Sequence, residues 1–221
     1  MPDGLKGFLT IVISAVVGGL MIMLTDSLLG QPVGVGIALL VGFILGLLYG
    51  LAAGVLLSYD LNSGMGWLQL IVDLTWSLLN TLFGLVIGFP LYLCFGNPSR
   101  AQSEGQGWIS FAPRGTGAFG NTVLQTLGTL NLGGPGQHER MHLLQARIFG
   151  PLYLPLFAAN YVVTGLVQLL WTGTIGLVLW LTKVRSKPYF EPPPTSAVSG
   201  FFGWIYYATI FERWAYASGN P

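Results

Sequence analysis

Long apolar stretches constrain this chain more than any other feature. Three of them fill its first half, over about residues 8–29, 33–57 and 67–95, and a fourth covers about residues 152–181. A helix needs about 20 apolar residues to cross the hydrocarbon core of a bilayer. Each stretch is long enough, so the sequence predicts an all-α polytopic membrane protein with about four transmembrane helices.

Composition supports a membrane protein and excludes other classes. Hydrophobic residues make up 52% of the chain and charged residues 8%, whereas soluble domains carry about 25% charged residues. The formal net charge of +1 provides no basic field for nucleic acid. A single cysteine, Cys94, cannot form an internal disulfide. We therefore expect the lipid bilayer as a partner and no nucleic acid.

The stretches and the segments between them divide the chain into four predicted regions. Residues 1–95 form a three-helix transmembrane region, and residues 96–136 form an extramembrane, Gly-rich loop with short strands, one of them near residues 122–124. Residues 137–182 contain a short helix and then a long apolar helix or broken hairpin. Residues 183–221 begin with a basic, proline-rich linker and end in an aromatic, interfacial helix.

Two patterns bear on topology and packing. Lys183, Arg185 and Lys187 close the last apolar stretch, and the positive-inside rule places them in the cytoplasm. With four crossings, Lys6 lies on the same side. Glycines recur every fourth residue in the second stretch, at Gly42, Gly46, Gly50 and Gly54. Such a stripe lets another helix approach closely, and we favour packing within the chain over homodimerisation.

The only two histidines form the motif HExxH at residues 138–142. Positions i and i+4 share one face of a helix, so His138 and His142 can reach the same metal ion. Glu139 is then placed as general base. Zn²⁺ held by two histidines and a carboxylate keeps a fourth position for water, whose pKa falls to about 7. The motif also occurs in helices without metal, where the same side chains are solvated or hydrogen-bonded.

A carboxylate for the third position lies far downstream, at Glu212, in the sequence FERWA. Together with HERMH, Gln145 and the sequence GPLYLP at residues 150–155, this segment resembles a group of bacterial HExxH-containing membrane proteins that are similar to gluzincin zinc metallopeptidases. The resemblance covers the C-terminal third to half of the chain, which lacks the Asn-Pro that precedes FER in the group. It implies a zinc site in which His138, His142 and Glu212 are the ligands and Ala215 leaves room beside the ion.

Other polar residues have less specific interpretations. Gln145, one turn after His142, is either a partner that orients the histidine or a surface glutamine. Asp73 is a functional candidate because an acidic residue inside a membrane helix is costly, although a solvated or capping role fits as well. Asp73 and Glu104 are substitute ligands if Glu212 cannot reach the histidines. Arg140 and Arg147 are expected to face solvent or lipid headgroups.

The apolar stretch between HExxH and Glu212 poses a geometric difficulty. If it crosses the membrane once, the histidines and Glu212 start on opposite sides. The stretch can break and return, the site can lie at membrane depth, or the aromatic helix after the proline linker can turn back inward. The sequence leaves these three routes open.

These observations favour a membrane-embedded, zinc-dependent metallopeptidase-like protein that acts on peptide bonds. Strands between residues 107 and 132 would offer an edge for an extended substrate. The alternative is a non-catalytic accessory or structural subunit of a larger membrane complex, favoured by the glycine stripe and the many aromatic residues. We expect no haem or pigment ligation, since both histidines lie outside the clear spans.

Overall fold

The computed structural model describes residues 1–114, 125–194, 196 and 198–218. Within these ranges the chain is mostly helical and contains one small sheet. Among the described residues, four helical segments are long and apolar enough to cross a membrane, namely Asp3–Leu28, Val35–Val55, Leu78–Phe95 and Gln137–Leu181. The predicted helical class is therefore confirmed. The strand expected near residues 122–124 lies outside the described residues.

The chain forms two compact units. The first unit contains Met1–Pro135 and Ala146–Pro151, and the second contains Gly136–Gln145 and Leu152–Pro221.

Glycines hold the first two helices of the first unit in close contact. Helix α1 (Asp3–Leu28) packs against helix α2 (Val35–Val55). A β-carbon built at Gly50 would lie 2.9 Å from Ile11 Cα, and one built at Gly54 would lie 2.6 Å from Gly7 O. Because only hydrogen atoms fit in these gaps, the backbones can approach as small residues allow in a bilayer. The glycine stripe thus packs within the chain.

The third apolar stretch is interrupted, whereas the sequence suggested one continuous span. Helix α3 (Gly64–Leu74) ends at Thr75, whose backbone is not helical, with φ −122° and ψ −87°. Helix α4 (Leu78–Phe83) continues through a π-helical turn (Gly84–Gly88) into α5 (Phe89–Phe95). Polar side chains compensate for the break, since Thr81 Oγ1 donates a hydrogen bond to Asp73 O at 2.7 Å.

A four-stranded sheet follows, as expected for the Gly-rich region. Its strands are β1 (Gly96–Pro98), β2 (Ile109–Pro113), β3 (Thr126–Leu127) and β4 (Leu130–Leu132), and a short helix, α6 (Arg100–Ser103), lies between β1 and β2. The strand order is β1-β2-β4-β3, with β2 and β4 parallel and the other pairs antiparallel. The core of the unit includes buried residues from the helices and the sheet: Tyr49, Leu70, Leu74, Tyr92, Ile109, Phe111 and Leu130.

A buried ion pair joins Asp73 to Arg147, which lies near the end of helix α7 (Gln137–Phe149). Arg147 Nε and Nη2 donate to the two carboxylate oxygens of Asp73 at 2.8 and 2.7 Å. Tyr59 Oη donates to Asp73 Oδ2 at 2.7 Å, and burial followed by the Asp73 charge raises the pKa of Tyr59, which keeps this phenol protonated. The expectation that Arg147 faces solvent or headgroups is therefore wrong, because the buried carboxylate needs a cation.

The second unit contains most of one long helical segment, whose residues Ala146–Pro151 belong to the first unit. After α7 and a 3₁₀ turn (Gly150–Leu152), helix α8 (Tyr153–Trp171) continues through a π-helical turn (Thr172–Gly176) into α9 (Leu177–Leu181). The linker then leads to α10 (Gly200–Ala208) and α11 (Ile210–Ser218). Helix α10 packs against α8, so the C-terminal segment returns along α8.

The contact between α1 and α2 predicts the effect of enlarging a stripe glycine. Replacing Gly50 by Leu should destabilise the fold by about 1–3 kcal/mol, because the added side chain overlaps Ile11. Gly36→Leu is the matched control, since a β-carbon at Gly36 meets nothing within 4 Å. Thermal unfolding in detergent, followed by circular dichroism, measures both variants. Equal melting temperatures for the two variants would contradict this packing.

The buried ion pair predicts an asymmetry between single and double substitutions. Arg147→Met leaves the Asp73 carboxylate buried without its cation and should cost about 3–5 kcal/mol. Asp73→Asn combined with Arg147→Met removes both charges and should be less destabilising than Arg147→Met alone. Chemical unfolding of the three proteins gives the comparison. A double variant less stable than Arg147→Met would show that the pair is not coupled in this way.

Candidate metal centre

The two histidines lie one helical turn apart on α7, as their spacing predicted. The helix has no Gly or Pro between Gln137 and Phe149, so nothing interrupts the turn that separates them. Both side chains are buried, and their Nε2 atoms are 3.2 Å apart. The two rings meet nearly edge to face, with an interplanar angle of 80°. The helix therefore directs one nitrogen from each ring at the same point.

Glu212 reaches this point because α10 and α11 run back along α8. Gln168 Nε2 donates to Phe190 O and to Phe201 O, at 2.9 and 3.1 Å. Further toward the start of α8, Asn160 Oδ1 accepts a hydrogen bond from Ile210 N at 2.9 Å. Lower numbers on α8 thus pair with higher numbers on the returning segment. Of the three routes considered from the sequence, this geometry corresponds to the return of the aromatic helix after the linker.

An aromatic stack holds the linker against the C-terminal end of α8. The ring of Phe190, in the linker, lies between Trp171 of α8 and Trp204 of α10, with centroid distances of 4.3 and 5.0 Å. The Arg185 guanidinium lies 5.9 Å from the centroids of Trp171 and Phe190. Aromatic stacking and cation–π contacts stabilise a fold by more than the burial of their apolar area alone. The linker is therefore anchored to the end of α8.

The three ligand atoms form a nearly equilateral triangle. Glu212 Oε2 lies 3.3 Å from His138 Nε2 and 3.4 Å from His142 Nε2, and the two nitrogens are 3.2 Å apart. Around a tetrahedral ion with ligand distances of about 2.0–2.1 Å, neighbouring ligand atoms are about 3.3–3.4 Å apart. The spacing fits one face of such a tetrahedron, so this buried His-His-Glu group could hold a metal ion.

Gln145 fixes the protonation of His142. Its Nε2 donates to Phe211 O at 2.9 Å, so its Oε1 faces His142 Nδ1 at 3.0 Å. Nδ1 must then carry the proton, and Nε2 of the neutral ring keeps the lone pair that faces the other two ligand atoms. Of its two interpretations, Gln145 takes that of an orienting partner, and it is fully buried.

Tyr161 orients the Glu212 carboxylate. Its Oη donates to Glu212 Oε1 at 3.1 Å, and Tyr206 also lies close enough to lower the pKa of the carboxyl group. Burial acts to raise the pKa of Glu212, but the neighbouring imidazoles of His138 and His142 outweigh it and lower the pKa to about 2. Tyr161 occupies Oε1. Oε2 has no hydrogen-bond partner among the described residues and faces the two histidines.

Apolar side chains surround the polar group. The ring of His138 meets Tyr216 edge to face at 4.6 Å, and Phe157 lies near both His142 and Phe211. Ala215, one turn after Glu212, is completely buried, so no larger side chain would fit at this place without displacement. The site therefore combines apolar surroundings with three convergent atoms that could bind a metal ion.

The other predicted carboxylates are not part of this group. Asp73 pairs with Arg147, and Glu104 forms an exposed ion pair with Arg100 at 3.0 Å. Glu139 is half-buried on α7, next to His138, and Arg140 is exposed. Tyr161, Tyr206 and Asn160 are site residues that sequence reasoning missed. The only signal for Asn160 was its position as a polar residue within an apolar stretch. The two tyrosines gave no signal, because tyrosines are common at membrane interfaces.

In comparisons with known proteins, no family model, curated protein or solved structure matched this chain.

The contact with Tyr161 predicts a specific loss of metal affinity. Tyr161→Phe removes the hydrogen bond to Glu212 Oε1, and loss of such an orienting partner costs about 10–100-fold in affinity. Tyr189→Phe, which removes a hydroxyl elsewhere in the same unit, is the control. Zinc affinity is measured by competition with a chromophoric chelator in detergent. Unchanged affinity in Tyr161→Phe would show that this hydrogen bond does not orient the ligand.

Proposed function

We propose that this chain is a membrane-embedded, zinc-dependent metallopeptidase. The observation that carries the proposal is the triangle of His138 Nε2, His142 Nε2 and Glu212 Oε2, with edges of 3.2–3.4 Å. Two imidazole nitrogens and one carboxylate oxygen are the ligand set of a catalytic zinc site that keeps a fourth position for water. The resemblance to gluzincin peptidases is the argument for zinc and for a peptide bond as the substrate.

Each side chain has a role in the proposed reaction. His138, His142 and Glu212 would hold Zn²⁺, a Lewis acid that would lower the pKa of a bound water molecule to about 7. Glu139 follows His138 on α7 and is half-buried, and its carboxylate would accept the proton from that water and pass it to the leaving amine. Gln145 holds the His142 ring in the tautomer that binds metal, and Tyr161 keeps Glu212 Oε1 occupied.

The four apolar helical segments support a location in the bilayer. Their outward surfaces are largely apolar, with exposed residues such as Leu40, Val55, Val162 and Leu170. Such surfaces are unfavourable in water and are matched by lipid. The basic residues that follow α9 favour a cytoplasmic C-terminal side, and the resemblance favours a bacterial source.

A second candidate function is that of an accessory subunit in a membrane complex. The surface of the fourth apolar segment, Gln137–Leu181, favours this candidate. Only 11% of the most apolar part of that segment is buried by the rest of the protein, whereas the other three segments have 28–39% buried. A partner protein could cover this surface, as lipid could. Stoichiometric co-purification with a large assembly, together with the absence of hydrolysis by the isolated chain, would support this candidate over the enzyme.

Metal content and hydrolysis measured in parallel test the proposal. The full chain is purified in detergent, zinc is counted by mass spectrometry, and cleavage of a quenched-fluorescence peptide library is followed. We expect one zinc per chain in the wild type and in Glu139→Gln, but hydrolysis in the wild type only. The variant His138→Ala should lose both the zinc and the hydrolysis, because only two of the three ligands remain.

The variants are compared only after circular dichroism shows that they are folded. Negligible zinc in both the wild type and His138→Ala would overturn the metal site. Equal hydrolysis by the wild type and Glu139→Gln would leave the metal site intact but refute the role of Glu139 as base.

A further inference from the structure

A groove in the first unit has a volume of about 810 Å³. It lies between the end of α1, the start of α2 and the junction of α3 with α4. Its walls are mainly apolar and include Ile22, Leu29, Val41, Leu79 and Leu82. The volume is in the range of about 300–1,000 Å³ that is typical of small-molecule sites.

One buried acid interrupts this apolar wall. Asp26 is 6% exposed, and its Oδ1 accepts a hydrogen bond from Val33 N at 3.0 Å. Its Oδ2 is buried and has no hydrogen-bond partner among the described residues, and the ion pairs found in those residues do not include Asp26. An unpaired carboxylate oxygen in an apolar surrounding is costly. A donor with positive charge is the complement that Asp26 lacks.

The position of Asp26 indicates where that donor comes from. Helix α1 has 26 residues, which span about 39 Å and exceed the hydrocarbon thickness of about 30 Å. Asp26 lies in its last turn, before the connection to α2. If the helix crosses the bilayer, this end reaches the headgroup layer. Trp76, whose ring suits that layer, lines the same groove.

We propose that the groove binds one aminophospholipid molecule. Its ammonium group would donate to the Asp26 carboxylate, and one acyl chain would lie against the apolar wall. The terminal torsion of an aspartate is soft, so the carboxylate can turn to accept from a donor in the groove that Asp26 lines. The inference rests on the proposed membrane location but not on the metal site.

Native mass spectrometry of the full chain in detergent tests this inference. The protein is offered phosphatidylethanolamine, phosphatidylcholine and phosphatidylglycerol with identical acyl chains. We expect about one lipid retained per chain, with at least tenfold preference for phosphatidylethanolamine, because the choline lipid has no N–H donor and the glycerol lipid has no cation. Equal retention of the three lipids by the wild type would overturn the proposal.

Two variants separate the headgroup contact from the apolar wall. Asp26→Asn keeps the shape of the side chain and should abolish the preference, whereas Leu79→Trp fills the groove and should reduce retention of all three lipids. Leu68→Trp, at an exposed position of α3 outside the groove, is the control and should behave as the wild type. Persistence of the preference in Asp26→Asn, or unchanged retention in Leu79→Trp, would contradict the assigned site.

Zinc is counted in the same samples. A chain that binds zinc but shows no lipid preference contradicts this inference alone. A chain that prefers phosphatidylethanolamine but binds no zinc contradicts the metallopeptidase proposal alone.

Discussion

The return of the C-terminal segment along α8 is the constraint on which the metal centre depends. His138 and His142 meet through the local geometry of one helix, but Glu212 is separated from them by the longest apolar stretch of the chain. Three kinds of contact hold the return in register: the aromatic stack around Phe190, the hydrogen bonds of Gln168, and the bond from Ile210 N to Asn160. The hydrogen bonds also satisfy backbone groups of the linker, α10 and α11 that the fold removes from water.

Three buried acids of this chain differ in how far their hydrogen-bonding and charge requirements are met. Asp73 is paired with Arg147 and bonded by Tyr59, so its charge is compensated within the fold. Glu212 faces two imidazoles and is bonded by Tyr161, an arrangement that a divalent cation would complete. Asp26 has one backbone donor and an oxygen without a partner among the described residues. In a chain with so few charged residues, the unmet requirements of buried acids are the best indication of what else it binds.

Sequence reasoning predicted those features that depend on local periodicity. Apolar length identified the helical segments, and the i, i+4 spacing placed His138 and His142 on one face. It could not choose the route to Glu212, because contacts between Gln168 and Phe201 join residues on separate elements. The break at Thr75 and the burial of Arg147 were missed for the same reason, since both depend on partners elsewhere in the chain. The small sheet was expected, but its parallel pairing of β2 with β4 was not.

X-ray absorption spectroscopy at the zinc edge tests the central claim most directly. For the full chain loaded with one zinc, the account predicts two imidazole nitrogens and one carboxylate oxygen at about 2.0–2.2 Å, together with one further oxygen. In Glu212→Gln the carboxylate contribution should disappear while both imidazoles remain. A wild-type spectrum that fits without a carboxylate, or one that Glu212→Gln leaves unchanged, would contradict the assignment of Glu212 as the third ligand.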